Sequence, residues 1–246
     1  MKYIVLTGAS GKFGRVLTTK LLENGYGVIG ITSREESRNE LESSFKKDAK
    51  FISCDLTSEK GRSDLINTLN NLDVSIYGLI SNARSLSFLK TDEDGSIPSE
   101  NFLGEFNLGV VAAYDLATKL SELDSFKRVI NISSMYGVVA TNPNLYDDPT
   151  HRPPLHYGVV KAALNHMTKE LATRLIDSDV VVNSVSYGGV QGRVDENFLK
   201  NYSKLCPSKK MLKDDDIYSS IQYLLDEASS SMVGHNLVVD GGWTLW

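Results

Sequence analysis

Tyr157 and Lys161 stand four positions apart in a segment, residues 156–176, whose apolar residues recur at three and four spacing. That period predicts a helix, and a step of four puts both side chains on one face. An ammonium beside a phenol favours the phenolate and lowers a pKa that is otherwise about 10. A phenol tuned in this way exchanges protons with an alcohol near neutral pH. Tyrosine and lysine at this spacing are commonplace on helices and usually structural, so their surroundings decide what they mean. One such surrounding is the run Ile132-Ser133-Ser134-Met135-Tyr136-Gly137, which places the Ser134 hydroxyl at the carboxyl end of an apolar strand. Open α/β sheets bind their ligands at that end.

A second constellation opens the chain. The apolar run 3–6 passes into Thr7-Gly8-Ala9-Ser10-Gly11-Lys12-Phe13-Gly14 and then into a helical pattern. Gly8 permits a tight turn, Gly11 lets the backbone approach a pyrophosphate, and Gly14 lets the helix pack closely on the sheet. Free N–H groups at the helix start face the anion. A P-loop ending at Gly11-Lys12 is excluded, because it needs glycine at position 6 and serine or threonine at position 13, where the chain has Leu6 and Phe13. At the end of the second strand a carboxylate would select NAD, but the residues are Thr32-Ser33-Arg34, with the first carboxylate at Glu35. Ser33 and Arg34 suit a 2′-phosphate, with Lys12 as a second cation, so NADP is expected, with NAD still possible. The competing reading is that Arg34 caps the strand and meets solvent or Glu35.

The elements that must position these groups follow from periodicity. Strands are expected at residues 3–6, 28–31, 50–53, 76–80, 128–132, 180–185 and Asn236–Val239, and helices at 14–23, 58–71, 99–121, 156–176 and 215–225. Strands that read as nearly unbroken apolar runs are buried on both faces, which predicts a parallel sheet. The fold class is α/β, a Rossmann-like doubly wound, seven-stranded parallel sheet with helices on both faces. No repeat or linker divides the 246 residues, so a single dinucleotide-binding domain spanning 1–246 is expected, with substrate-loop insertions near 142–154 and 188–207.

Composition narrows the function. Hydrophobic residues make up 41% and the net charge is −5, which fits a globular chain with a full core and gives no electrostatic footprint for nucleic acid or an anionic membrane. Cys54 and Cys206 match no disulfide or metal spacing and read as reduced thiols. His151, His156, His166 and His235 share no ligand spacing, so no metal is expected. Asp214-Asp215-Asp216 reads as the start of the last long helix. There is no signal h-region and no apolar run of spanning length, so a cytoplasmic protein is expected.

Taken together, these motifs resemble the short-chain dehydrogenase/reductase family over essentially the whole chain. The Tyr-x-x-x-Lys signature falls on Tyr157 and Lys161, the active-site serine on Ser134, and the helix-borne asparagine on Asn107. Asp55 in Cys54-Asp55-Leu56-Thr57 matches the adenine-contacting aspartate, Asn82-Ala83 the Asn-Ala-Gly segment, and Val239-Asp240-Gly241-Gly242 the usual ending. The resemblance implies that Tyr157 is the general acid/base, that Lys161 lowers its pKa and holds the nicotinamide ribose, that Ser134 orients the substrate oxygen and that Asn107 supports a water relay. It implies a cofactor groove of Gly8, Ser10, Gly11, Lys12, Phe13, Gly14, Ser33, Arg34, Asp55, Leu56, Asn82 and Ala83, joined by Tyr157, Lys161, Gly188 and Val190. Homodimers or homotetramers are implied as well, and Trp243 and Trp246 are candidates for a subunit contact.

Four departures accompany the match. Glycines fall at Gly8, Gly11 and Gly14, as in extended members, where small members have the middle glycine at position 12. Arg84 replaces the glycine of Asn-Ala-Gly, Tyr187-Gly188 stands for Pro-Gly, and 23 positions separate Ser134 from Tyr157, an interval longer than is common. The extra residues are expected to bring Tyr146, Asp147, Asp148, His151, Arg152, Gln191 and Arg193 to a polar rim suited to a polyhydroxylated or charged ligand. The sequence is similar in this to reductases of surface-sugar and flagellin-glycan pathways. The expected function is an NADP-preferring oxidoreductase interconverting a carbonyl and an alcohol on a polar small molecule. A nucleotide-sugar epimerase or dehydratase of the extended type and a non-catalytic NADP-sensing regulator are the alternatives.

Overall fold

A computed structural model describes residues 1–148, 152–192 and 194–246. The elements follow one another as β1 (Lys2–Thr7), α1 (Lys12–Glu23), β2 (Gly27–Thr32), α2 (Glu35–Ser44), β3 (Ala49–Ser53), α3 (Glu59–Asn70) and β4 (Ser75–Ser81). The second half continues with α4 (Ser99–Phe106), α5 (Ala112–Leu120), β5 (Arg128–Ser134), α6 (Leu155–Leu175), β6 (Val181–Tyr187), α7 (Glu196–Leu205), α8 (Asp214–Leu225) and β7 (Asn236–Val239). All seven strands join one parallel sheet in the order β3-β2-β1-β4-β5-β6-β7. Chain direction through the sheet reverses between β1 and β4, and a crevice opens there at the carboxyl ends of the strands.

Alternation along β1 builds the two core layers, because successive side chains point to opposite faces. Ile4 and Leu6 pack with Leu17 and Leu21 of α1, Leu41 of α2 and Ile217, Ile221 and Leu224 of α8. Val5 packs on the opposite face with Leu65 and Leu69 of α3, Leu116 and Leu120 of α5, and Leu171 and Leu175 of α6. All of these side chains are buried, and the helices are thereby fixed on both faces of the sheet.

Two expectations about elements change, and a third is made definite. Helix α2 is absent from the sequence reading because its ten residues, EESRNELESS, carry one apolar side chain, Leu41, and so show no period. The expected helix 99–121 is interrupted by a π-helical turn, Asn107–Val111, between α4 and α5. Segment 188–207, expected as a loop or short helix, contains the ten-residue α7, whose N-terminus is capped by Asp195 accepting from Phe198 N–H at 2.7 Å. Both cysteines are free; Cys206 is buried, and burial pushes the Cys54 thiol up to about 11. Among the described residues no helix is long and apolar enough to cross a membrane, and no cluster of three metal-ligating side chains occurs.

Candidate active site

The glycine turn is built by steric necessity. Gly8 has φ +68°, and a Cβ there would meet Ala83 Cα at 2.9 Å. A Cβ on Gly14 would meet the Gly8 carbonyl oxygen at 2.2 Å, so the first turn of α1 lies directly on the turn before it. A Cβ on Gly11 would meet only the Gly8 oxygen, at 3.4 Å, which leaves that side of the turn open. Gly11 is also the N-cap of α1, with no side-chain cap and no acidic residue in the first turn, so unpaired N–H groups face the crevice. An open backbone, free N–H donors and a helix dipole together fit a dinucleotide pyrophosphate.

Around this turn, Ser10 Oγ lies 3.0 Å from Thr32 Oγ1, and Phe13 meets the Tyr187 ring edge to face at 5.6 Å. The Lys12 ammonium has partners other than a 2′-phosphate: it donates to the Gln191 carbonyl and pairs with Asp214 at 3.0 Å. Ser33 and Arg34 are exposed at the end of β2. Glu35 is turned to Arg38 and Ser53, and the Arg34 guanidinium makes no hydrogen bond or ion pair to a described residue. Asp55 accepts from Thr57 N–H at 2.9 Å and from its hydroxyl at 2.6 Å, and Leu56 beside it is buried.

Across the crevice, Thr7 Oγ1 accepts from the N–H groups of Asn82 (2.9 Å) and Ala83 (3.0 Å), while Asn82 Nδ2 donates back to the Thr7 carbonyl at 3.1 Å. The end of β4 is thereby fastened to the start of the glycine turn. Gly188 N–H donates to the Val239 carbonyl at 2.9 Å, and Val190 forms a bridge with Leu212. Tyr187, where the family has proline, is buried and donates to the Ile217 carbonyl at 2.6 Å, and burial pushes its phenol up.

The reactive group sits where β5 hands over to α6. Ser134 is the last residue of β5, is buried, and accepts from Tyr136 N–H at 3.2 Å. Tyr157 is half-buried in the first turn of α6, and Lys161, one turn on, is 6% exposed. The Lys161 Nζ lies 5.9 Å from the centre of the Tyr157 ring and donates to the Ile132 carbonyl at 2.9 Å. A Cβ on Gly137 would meet the Lys161 carbonyl carbon at 2.7 Å, so the absence of a side chain lets the turn after β5 press against α6. Asn107 opens the π turn but is exposed, and no hydrogen bond joins its side chain to Ser134, Tyr157 or Lys161. A cavity of about 10 Å³, room for one water, lies between Lys161, Ser81 and Leu108, and the buried Ser81 hydroxyl has no partner.

Several neighbours escaped the sequence reading. Tyr136 is one: it shares a hydrogen bond of 2.9 Å with Tyr146, which was expected on the rim, and burial pushes both phenols up. His156, preceding Tyr157, is fully buried, and its Nε2 lies 2.7 Å from the Phe88 carbonyl. Glu105, two residues before Asn107, is 2% exposed with Oε2 unpartnered; burial raises its pKa against the opposing charges of Lys161, Arg84 and His156. None of these lies in a recognisable spacing; a glutamate in the apolar face of an amphipathic helix was the available signal.

The two insertions meet each other. Tyr146 packs edge to face on Phe198 at 5.5 Å, and Asn201 Nδ2 donates to Asp147 Oδ1 at 3.1 Å. Met135, Leu145, Tyr202, Cys206, Met211 and Trp243 form the apolar cluster beneath them. Of the expected rim, Arg152 and Gln191 are exposed, and His151 and Arg193 lie outside the described residues. Trp243 is buried in this cluster, while Trp246 is exposed.

Comparison with known proteins agrees with this geometry. The sequence profile described as Enoyl-(Acyl carrier protein) reductase matches residues 8–244. The chain is 30% identical to the Post-translational flagellin modification protein A of Campylobacter coli, over 99% of this chain and 98% of that one. It is 27% identical to the 3-oxoacyl-[acyl-carrier-protein] reductase FabG of Rickettsia bellii, over 97% and 95%. A short-chain dehydrogenase of Leptospira borgpetersenii, solved with bound NAD+, superposes with a TM-score of 0.86 at 25% identity, covering 99% and 92% of the two chains. With the parallel sheet, the glycine turn and the Tyr157–Lys161 pair in place, the chain belongs to the short-chain dehydrogenase/reductase family, oxidoreductases that use a nicotinamide dinucleotide and act on CH–OH groups.

Proposed function

We propose that this protein interconverts a carbonyl and an alcohol on a polar small molecule, a sugar or sugar derivative, with NADP as the preferred dinucleotide. The observation that carries this reading is the placing of Tyr157 beside Lys161 at the mouth of the crevice, opposite a glycine turn open to pyrophosphate. Bound there, the dinucleotide supplies or accepts the hydride. Tyr157 gives the proton to the substrate oxygen or takes it away, and Ser134 holds that oxygen. Lys161 stands beside that phenol and has two further N–H donors for the ribose, since Ile132 takes one. Asn107 supports the water relay from the π turn. Gly8, Ser10, Gly11, Lys12, Phe13 and Gly14 hold the pyrophosphate, chiefly through backbone, and Asp55, Leu56, Asn82, Ala83, Gly188 and Val190 line the rest of the groove.

The preference for NADP rests on the unpaired Arg34 guanidinium beside Ser33, with Glu35 turned away to Arg38. The substrate class rests on the hydroxyls of Tyr136 and Tyr146 and on the polar rim, together with the flagellin-modification relative. We place the protein in the cytoplasm as one domain with two substrate loops, assembled as a homodimer or homotetramer. Exposed Leu103, Tyr114, Leu155 and Val159 on α4, α5 and α6 provide apolar surface for that contact.

The test is NADPH consumption against a panel of keto-sugars, nucleotide-sugars and simple ketones. Turnover of a keto-sugar that disappears in Tyr157→Phe supports the reading. Tight NADPH binding with no oxidation on any substrate, unchanged in Tyr157→Phe, would instead identify a sensor.

A further inference from the structure

Arg84 follows the end of β4, which is fastened to Thr7 at the start of the glycine turn. The two residues before it, Asn82 and Ala83, are both fastened to Thr7 Oγ1, so the root of its side chain is set. Its guanidinium lies 5.7 Å from the centre of the Tyr157 ring, against 5.9 Å for the Lys161 ammonium. Two cations thus face one phenol ring, each within reach of its π face.

Several other arginines of the same protein are committed to carboxylates, whereas Arg34, at the far end of the groove, is not. Arg15 pairs with Glu40 at 3.0 Å, Arg62 with Asp115 at 2.6 Å, and Arg38 with Glu35. Arg84 is exposed and makes no hydrogen bond or ion pair to any described residue. The acidic group close to it, Glu105, is buried, stands beyond ion-pair distance, and feels Lys161 more strongly than Arg84. At the mouth, Asp147 is held by Asn201.

We propose that Arg84 is the substrate's anion site and that the physiological substrate is a hydroxy or oxo acid, its carboxylate held by the guanidinium a few bonds from the carbon that reacts at Tyr157. A planar guanidinium matches a carboxylate through two parallel N–H···O bonds. A single free cation suits a monoanion better than a phosphate, which gathers several donors. Binding the acid there fixes which carbon meets the nicotinamide. This inference rests on the oxidoreductase reading and deepens it by naming the substrate class.

The test pairs each oxo-sugar acid with its neutral ketose counterpart in NADPH oxidation, using the full-length protein and its Arg84→Gln and Arg84→Lys variants. The expected result is a wild-type preference for the acid. In Arg84→Gln the acid-to-neutral ratio of kcat/KM falls about 10- to 100-fold, the worth of a charged bidentate contact. Arg84→Lys recovers part of it. Calorimetry of succinate on the NADP-saturated protein gives a second readout, with binding lost in Arg84→Gln.

A wild-type enzyme that ignores the acid group overturns the proposal, as does an equal loss on both substrates. A loss matched by weaker NADPH binding in Arg84→Gln reassigns the residue to the cofactor. If no substrate of either kind is turned over, the oxidoreductase reading fails, while succinate binding still decides the role of Arg84.

Discussion

The ammonium of Lys161 is held by the Ile132 carbonyl at 2.9 Å, so the carboxyl end of β5 sets where the charge beside Tyr157 stands. Position comes from the sheet and not from the helix alone. Replacing Lys161 with methionine removes that hydrogen bond and takes the cation away from the phenol. We expect Lys161→Met to lose turnover by about 10²- to 10⁴-fold, measured as kcat with saturating NADPH. Tyr157→Phe is expected to lose at least as much while NADPH still binds, as measured by fluorescence titration.

At the other end of the groove, Arg34→Glu inverts the charge at the ribose site. It should weaken NADPH binding by about 10- to 100-fold and shift preference toward NADH. Unchanged NADPH affinity would remove the basis for NADP preference.

Gly14→Ala and Gly11→Ala should separate folding from binding. A Cβ at position 14 has 2.2 Å to the Gly8 oxygen, whereas one at position 11 has 3.4 Å. The first substitution is expected to cost about 1–3 kcal/mol, lowering Tm by roughly 2–12 °C. The second should leave Tm close to wild type and weaken the dinucleotide, because its methyl group occupies the open side of the turn. Calorimetric scanning with and without NADPH distinguishes them.

Glu105 makes stability depend on pH. Burial raises its folded pKa above the ordinary value near 4.5, so within that window the folded state binds more protons than the unfolded chain. Its contribution is therefore fully present below the unfolded value and declines as pH rises through the folded one. Glu105→Gln removes the titration. Denaturation profiles should show wild type losing stability relative to the variant on going from about pH 4.5 toward neutrality, and parallel profiles would contradict this.

Much of this architecture is written in local pattern. The seven strands are legible because buried parallel strands are continuous apolar runs, and the glycine turn because only glycine meets its contacts. Helix α2 escapes because one leucine does not make a period, whereas α7 falls in an insertion read as a loop or short helix, with its own small core. The π turn at Asn107 is invisible because it changes hydrogen bonding without changing composition. Tyr157 and Lys161 gain meaning from the elements around them, whereas Glu105, His156 and the Tyr136–Tyr146 pair become neighbours only through tertiary packing. The partner of Lys12 escaped for the same reason, since Asp214 is 202 positions away in sequence.

The clasp between Tyr146 and Phe198, with Asp147 and Asn201 beside it, bears on any attempt to redesign this enzyme. Two stretches far apart in the chain share one hydrophobic floor, so transplanting either from a relative would strand the other on a mismatched base. Grafts that alter selectivity will have to carry both stretches together.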